Sequence, residues 1–321
     1  MTCPLRRRAL LAGLLLAPSM RVRAAGEDPA WPGPVKQVAA GVHVLVGSRD
    51  AAHPGNGGAV GNLGFIETPA GAVVVNAGGS YRWGRALIAL VTRRTGRPPA
   101  TAIVTQARPE YVMGMAAFAD RGIELIAHEA TDRLIARRCP ECLRRLLRDL
   151  GDDAMRGTRL VGPTRALAGD ARIAPGGRRI DILHFGAAQT AGDLVVVDVD
   201  TGVAFAGAMV TERRVPELED PGGARPWRAA LAALAARPLA LLVPGYGEPG
   251  APAALIAATD AYLAQLASDV QSHWDRGADL LTAQREIAGA RWREWAQHEA
   301  LHARNVQREY LAAEARWLSG R

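Results

Sequence analysis

Short apolar runs alternate with segments of helical periodicity through most of this chain. The runs at 73–75 and 194–199 are almost continuously apolar, which is typical of strands buried on both faces. In segment 86–91 the apolar residues are grouped on one helical face, which predicts a helix that packs on such strands. Each half of the chain contains strands that lead into helices. This order predicts an α/β sandwich of two sheets with helices on the outer faces.

The two ends of the chain differ from this alternating region. Residues 25–37 are rich in proline and glycine, which predicts a linker. Beyond Gln271 the sequence is charged and has helical periodicity, and four of the seven tryptophans lie there. We therefore expect one α/β domain at 38–270, followed by a helical C-terminal extension at 271–321.

The first 24 residues have the features of an export signal. Three consecutive arginines, Arg6 to Arg8, precede an apolar run at 9–16, and Val22-Arg23-Ala24 resembles a cleavage site. The apolar run is too short to span a bilayer. The paired arginines favour the twin-arginine route, and the alternative is a basic amphipathic tail. The sequence thus predicts a periplasmic protein with a cleaved signal peptide at 1–24 and no transmembrane span.

The net charge is concentrated in that first segment. The whole chain has a formal charge of +7, but residues 1–24 contain five arginines and no acidic residue. The rest of the chain has 34 basic and 32 acidic residues. So small a net charge gives no reason to expect nucleic acid as a partner.

Two of the three cysteines are close together in the sequence Cys139-Pro140-Glu141-Cys142. Arginines on both sides of the pair would favour thiolates. A redox motif would need a thioredoxin-like context, and a zinc site would need two more ligands nearby. Neither is evident in the sequence. We expect a disulfide between Cys139 and Cys142, or two inert thiols, without a catalytic role.

Four short motifs follow apolar strands in a fixed order. Segment 105–114 reads Thr-Gln-Ala-Arg-Pro-Glu-Tyr-Val-Met-Gly and resembles the metallo-β-lactamase motif Thr-His-x-His-x-Asp-His-x-x-Gly. Segment 189–193 resembles the His-Thr-x-Gly-Asp motif of that superfamily. Segments 205–208 and 244–247 resemble Phe-x-Gly-Asp and Pro-Gly-His-Gly. The resemblance covers roughly residues 38–265 and implies an αββα sandwich of two mixed sheets.

In the family, histidines and an aspartate hold two zinc ions, and a bridging hydroxide attacks a carbonyl or ester. The resemblance places these ligand positions on residues of other types, namely Gln106, Arg108, Glu110, Tyr111, Gln189, Ala208 and Tyr246. It also implies that Asn76 and Asp193 support the ligand positions from behind, with Asn76 in place of a supporting aspartate.

These replacements predict the loss of zinc. Glu110 is the one replacement that can still coordinate a metal well, and the permanent cation of Arg108 repels a dication. Other histidines do not form a ligand set in the sequence, although His128 and His184 lie at strand ends and could approach the site. We therefore predict no cofactor, where the family cofactor would be zinc.

The sequence keeps the glycines that the fold's turns need but not the metal chemistry, which indicates a pseudoenzyme that acts as a periplasmic binding or accessory protein. The export signal and segments 62–68 and 305–314 resemble the quinoprotein relay system zinc metallohydrolase group. The fixed cation of Arg108, among hydrogen-bonding side chains, would anchor a small anionic or quinone ligand. The resemblance implies pyrroloquinoline quinone as such a ligand. It also implies a quinoprotein dehydrogenase or a homologous protomer as partner. The alternative is a divergent hydrolase with recruited zinc or a rebuilt site, in which Arg108 would lower the pKa of the Tyr111 phenol.

Overall fold

The computed structural model describes residues 28–320 of the 321-residue chain. The predicted export signal at 1–24 therefore lies outside the described residues. Two β-sheets pack face to face, and helices cover both outer surfaces. The predicted αββα sandwich is confirmed.

Within the described residues, seven strands form the first sheet, in the order in which they occur along the chain. They are β1 (Val35–Ala39), β2 (Val42–Leu45), β3 (Leu63–Ile66), β4 (Val73–Val75), β5 (Thr101–Ile103), β6 (Glu124–His128) and β7 (Arg165–Leu167). Strands β1 to β4 pair antiparallel, and β4 to β7 pair parallel. This sheet is therefore mixed, as predicted.

Five further strands of the described region form the second sheet, which is also mixed. They are β8 (Ala171–Ile173), β9 (Ile180–Leu183), β10 (Val195–Asp198), β11 (Val203–Thr211) and β12 (Leu241–Tyr246). Their spatial order is β12-β11-β10-β9-β8, with β11 and β12 parallel and the other pairs antiparallel. The parallel pair brings the ends of β11 and β12 to the same edge of the sheet.

The α-helices of the described residues lie on the outer faces or form the C-terminal region. They are α1 (Tyr81–Thr95), α2 (Pro109–Val112), α3 (Met115–Ala119), α4 (Glu129–Met155), α5 (Ala224–Ala235), α6 (Pro252–Asp275), α7 (Leu280–Glu286) and α8 (His298–Leu318). Helices α1, α3 and α4 cover the first sheet, and α5, α6 and α8 cover the second.

Alternation along the strands separates the core into layers. Val73 and Val75 of β4 lie between the sheets, whereas Val74 faces the helices that cover the first sheet. In β10, Val196 lies between the sheets and Val195 faces the helices on the second sheet. Because both faces of these strands are buried, the strands have apolar residues at successive positions. This is the physical origin of the apolar runs in the sequence.

Two predicted boundaries differ from the structure. Strand β1 starts at Val35, inside the segment 25–37 that was expected to be a linker. Helix α6 continues to Asp275, so the expected boundary at residue 270 falls inside a helix. In residues 28–320 no helix is long and apolar enough to cross a membrane.

Candidate functional site

The ends of strands from both sheets meet at the candidate site. After β5 ends at Ile103, the chain leads through Thr105 and Gln106 to α2. Strands β11 and β12 bring Ala208 and Tyr246 to the same region. Gln106 Oε1 accepts a hydrogen bond of 3.0 Å from the backbone N–H of Ala208, which joins the two sheets at this point.

Asn76 supports Gln106 through Thr105. Thr105 Oγ1 lies 2.8 Å from Gln106 Oε1 and 2.9 Å from Asn76 Oδ1, so its single proton is shared between these acceptors. Asn76 Oδ1 also accepts a bond of 3.0 Å from the Thr105 backbone N–H. Asn76 has a φ of 65°, in the left-handed region that asparagine tolerates better than most residues. Asn76 therefore fixes the loop that presents Gln106.

Asp193 fixes the turn that contains Gln189. Its carboxylate accepts hydrogen bonds from the backbone N–H groups of Gln189 (2.9 Å) and Thr190 (3.1 Å), and from Thr190 Oγ1 (2.5 Å). Burial raises the pKa of Asp193 to about 7 despite these bonds and a further one from Gln106. The Gln189 Oε1 atom is buried without a hydrogen-bond partner among the described residues.

Arg108 is the centre of a buried ion-pair cluster. Its Nε lies 3.2 Å from Glu110 Oε1, and its Nη1 lies 2.6 Å from Glu217 Oε2 and 3.1 Å from Glu219 Oε1. Arg138 of α4 pairs with the other oxygen of Glu219. The Arg108 side chain is 9% exposed, so protein groups replace most of its hydration. The cation that the sequence suggested as a ligand anchor is already surrounded by carboxylates.

Two tyrosines complete this cluster. Tyr246 donates its hydroxyl proton to Glu110 Oε1, and the guanidinium of Arg214 lies 4.1 Å from the centre of the Tyr246 ring. Tyr111 donates a hydrogen bond of 2.9 Å to the carbonyl of Gly245. The Tyr111 and Tyr246 rings stack with their centres 6.4 Å apart.

The charge states follow from burial and from these contacts. Burial alone would lower the pKa of Arg108, but Glu110 and Glu217 raise it well above its usual value. Burial alone would raise the pKa of Glu110, but Arg108 and Tyr246 hold it below its usual value. Burial is the largest cause that raises the pKa of Tyr111, and the nearby Tyr246 and Glu110 raise it further. Arg108 does lower the pKa of Tyr111, but burial, Tyr246 and Glu110 outweigh it, so the hypothesis of a phenol with a depressed pKa is wrong.

The seven predicted positions thus lie at one end of the sandwich in two adjoining groups. One group joins the sheets through an amide and backbone contacts, and its members are Gln106, Gln189 and Ala208. The other is built on ion pairs and phenols, and its members are Arg108, Glu110, Tyr111 and Tyr246.

Glu217 and Glu219, which follow β11, were not among the residues predicted from the sequence. A buried arginine needs carboxylate partners, and the segment Glu217-Leu218-Glu219 was a candidate for them because its acids alternate with an apolar residue. The C-terminal extension holds this segment in place. Asn305 of α8 accepts a 3.0 Å hydrogen bond from Leu218 N and donates one of 2.6 Å to Pro216 O.

A cavity of about 250 Å³ opens beside the ion-pair cluster. Its charged lining comes from both sides of the domain and from the C-terminal extension, and consists of Arg108, Glu110, Arg145, Asp149, Arg214, Glu217 and Arg304. Arg304 Nη1 lies 3.4 Å from Glu217 Oε1 and is mostly exposed. Arg145 makes no ion pair within residues 28–320. Arg214 also makes no ion pair within the described residues, but it is buried and donates to the carbonyls of Arg49 and Asp50. Arg145 and Arg304 are therefore the exposed cations that line the cavity.

Comparison with known proteins agrees with this architecture. The family model described as the metallo-beta-lactamase superfamily matches residues 56–246, more than half of the chain. This chain belongs to the metallo-β-lactamase superfamily. No curated protein matches its sequence.

Solved structures of metallo-β-lactamases share the fold. One from Pontibacter korlensis is 19% identical, with a TM-score of 0.58 over 72% of this chain and 98% of that one. The DIM-1 enzyme exposed to ceftazidime is 18% identical, with a TM-score of 0.56 over 72% and 96%. An enzyme from Erythrobacter litoralis is 20% identical, with a TM-score of 0.55 over 72% and 96%. At these identities the similarity shows the fold alone.

The superfamily implies zinc, but the side chains at the ligand positions do not fit it. Zinc is held by neutral imidazoles, thiolates and carboxylates. Ala208 has no donor atom, Arg108 is a permanent cation, and the phenols remain protonated. The one carboxylate, Glu110, already pairs with Arg108 and accepts a hydrogen bond from Tyr246. A zinc ion here would have to displace an ion pair and enter beside a guanidinium.

The other histidines and the cysteines do not replace the missing ligands. The His128 and His184 rings stack with their centres 4.2 Å apart. In residues 28–320, however, no three histidine, cysteine or acidic side chains are arranged to hold a metal ion. Cys139 and Cys142 are free thiols on α4. Their pairing as a disulfide stays a prediction.

We expect the purified protein to contain far less than one zinc ion per chain. The physical reason is the repulsion between a dication and Arg108, together with the lack of imidazole donors. Elemental analysis by mass spectrometry measures the zinc content, and a melting curve with and without chelator or added zinc serves as an independent check. Stoichiometric zinc, or a lower melting temperature after chelation, would contradict this expectation.

Proposed function

We propose that this chain is a metal-free pseudoenzyme that acts as a periplasmic binding or accessory protein. The observation that supports this proposal is the ion-pair cluster around Arg108, which includes positions that the sequence motifs align with the superfamily's metal ligands. Arg108 pairs there with Glu110, Glu217 and Glu219, and Arg138 and Arg304 pair with the last two of these glutamates. None of them is left as a base next to a free nucleophile, and the neighbouring phenols are neutral. The arrangement favours binding over hydrolysis.

The ligand that we propose is a small anion with carboxylate or quinone oxygens. Arg145 and Arg304 face the cavity, and guanidinium groups bind carboxylates through paired hydrogen bonds. Arg214 is not available, because it donates to the carbonyls of Arg49 and Asp50 and lies against Tyr246. The proposed anion-binding groups are therefore Arg145 and Arg304, which are exposed, and not the buried Arg108.

The resemblance to the quinoprotein relay group makes pyrroloquinoline quinone the first compound to test. This compound carries carboxylates and quinone carbonyls, whose oxygens can accept hydrogen bonds from Arg145 and Arg304. A quinoprotein dehydrogenase would then be the partner that uses the ligand. The periplasmic setting rests on the export signal at 1–24.

Isothermal titration with pyrroloquinoline quinone tests the ligand. We expect binding that weakens with added salt and loses on the order of tenfold or more in affinity in the double variant Arg145→Gln and Arg304→Gln. Arg144→Gln is the matched control, because Arg144 lies on the same helix but pairs with Glu141 away from the cavity. Absence of heat with the wild-type protein, or equal affinity in the double variant, would reject this ligand or this binding site.

A further inference from the structure

The two cysteines of α4 lie next to another cavity, which shares Arg145 with the cavity of the candidate site. This cavity has a volume of about 300 Å³ and is lined by Arg137, Arg138, Glu141, Cys142 and Arg145. Cys142 is partly exposed, whereas Cys139 is fully buried behind it. One thiol is therefore accessible to a reagent, and the other is accessible mainly to its neighbour.

The two side chains are in contact. Both belong to one packed cluster, and the interaction between the two thiols changes the pKa of each. Cys142 Sγ also donates a bond of 3.5 Å to the carbonyl of Arg138. Residues three positions apart on a helix have Cβ atoms roughly 5–6 Å apart, while a disulfide needs about 4 Å. A bond between these sulfurs therefore requires a modest tightening of one helical turn.

Pro140 makes such a tightening easier. It lies inside α4 between the two cysteines. Proline has no N–H, so the helical hydrogen bond to the carbonyl of Ala136 is absent at this turn. The turn keeps some strain when the disulfide forms, and strained or exposed disulfides are the ones that are reduced again readily.

The charges around Cys142 favour its thiolate. Arg137, Arg138 and Arg145 surround it on α4, and in residues 28–320 Arg137 and Arg145 have no ion-pair partner. The pKa of Cys142 is lowered to about 7. A hydrogen bond from Cys139 is the largest cause, and the nearby Arg145 also lowers this pKa, whereas burial raises it.

Other charged groups act on the pair from neighbouring elements. Arg108 also lowers the pKa of Cys142, whereas Glu219 raises it. The same hydrogen bond, together with burial, raises the pKa of Cys139. The two thiols therefore differ in both access and charge, with Cys142 the more reactive.

We propose that Cys139 and Cys142 form a reversible dithiol–disulfide pair that reacts through Cys142 with an external disulfide. The Cys142 thiolate attacks one sulfur of the partner R–S–S–R, forms a mixed disulfide and releases one thiolate. Cys139 then loses its proton and attacks Cys142 Sγ, which releases the second thiolate. The protein dithiol is oxidised to a disulfide, and the partner disulfide is reduced to two thiols. The oxidant is thus a small-molecule or protein disulfide.

Equilibration in glutathione redox buffers, followed by acid quenching and mass tagging of free thiols, tests the reaction. We expect both thiols of the wild-type protein to disappear together in one transition and to return on reduction. Cys139→Ser should instead stop at a stable mixed disulfide of Cys142 with glutathione. A wild-type protein that keeps both thiols free in oxidised glutathione, or that collects only mixed disulfide, would overturn the proposal.

Alkylation by iodoacetamide tests the roles of the two thiols without forming the disulfide. At pH 7 we expect Cys142 to react on the order of tenfold faster than Cys139, because the thiolate is the nucleophile. Arg145→Gln should slow Cys142 at pH 6–7 and have little effect at pH 9, where the thiol is ionised in both proteins. Arg144→Gln, on the same helix but outside the cavity, should leave the rate unchanged. Equal rates at the two cysteines would contradict the assignment of Cys142 as the attacking thiol.

Discussion

Replacing Arg108 with methionine is expected to destabilise the protein by about 3–5 kcal/mol at pH 7, because it leaves buried carboxylates without their cation. Arg108 contacts Glu110, Glu217 and Glu219, and its own side chain is 9% exposed. Methionine keeps much of the side-chain volume, so the change isolates the charge rather than the packing. Denaturant unfolding of the two proteins measures the difference in free energy.

Arg304→Met is the matched control, since Arg304 pairs with the same Glu217 from the protein surface. Its side chain is 60% exposed, and exposed ion pairs contribute about 0–1 kcal/mol. Both variants thus remove a cation that pairs with Glu217, one buried and one exposed. Equal destabilisation by both would show that the buried cluster is no more important than a surface pair.

The loss in Arg108→Met should depend on pH. In the folded wild-type protein Arg108 lowers the pKa values of Glu110 and Glu217 against the effect of burial. Such carboxyls add stability above their unfolded pKa, and that stability is lost as pH falls through the folded pKa. Without Arg108, burial raises both folded pKa values, and protonation relieves the unpaired charge. The difference between the two proteins should therefore be largest near pH 7 and smaller at pH 5, and a constant difference would argue against an electrostatic cause.

The fold could be predicted from the sequence because its signals are local. Apolar runs such as 73–75 mark strands that are buried on both faces, and the structure places these strands in the sandwich. Glycines mark backbone contacts that no other residue permits. At Gly245 a Cβ atom would lie 2.5 Å from the backbone nitrogen of Ala208, so β11 and β12 could not approach each other with a larger residue there.

The chemistry of the site could be predicted only in part. The sequence indicates which metal-ligand types are missing, because each motif position can be compared directly with its side chain. It does not indicate that Arg108 is neutralised. Glu217 is 109 positions away in the sequence, and Asn305 of α8 holds it near Arg108 by bonding to the residues on either side of it. The partner of a buried charge is a long-range property, so the predicted role of Arg108 as a ligand anchor needed the structure.

Restoring the superfamily's ligands should give this fold a zinc-dependent stability. The full variant carries seven substitutions, which are Gln106→His, Arg108→His, Glu110→Asp, Tyr111→His, Gln189→His, Ala208→Asp and Tyr246→His. Imidazole nitrogen and carboxylate oxygen bind zinc at about 2 Å, and the strand ends already converge there. The change at Arg108 also removes the cation that repels the metal. Glu217 and Glu219 then lose their partner, so the apo variant should be less stable than the wild-type protein.

Zinc should reverse that loss and raise the melting temperature, because it binds the folded site and not the unfolded chain. At a zinc concentration about 1,000 times the dissociation constant, the stabilisation is about 4 kcal/mol. A variant with only Glu110→Asp and Ala208→Asp is the matched control and should show little response, since Arg108 remains and no imidazole is added. The wild-type protein should show no response. If the full variant folds but zinc leaves its melting temperature unchanged, the alignment of these seven positions with the metal ligands is wrong. The proposal of a lost metal centre would then have no basis.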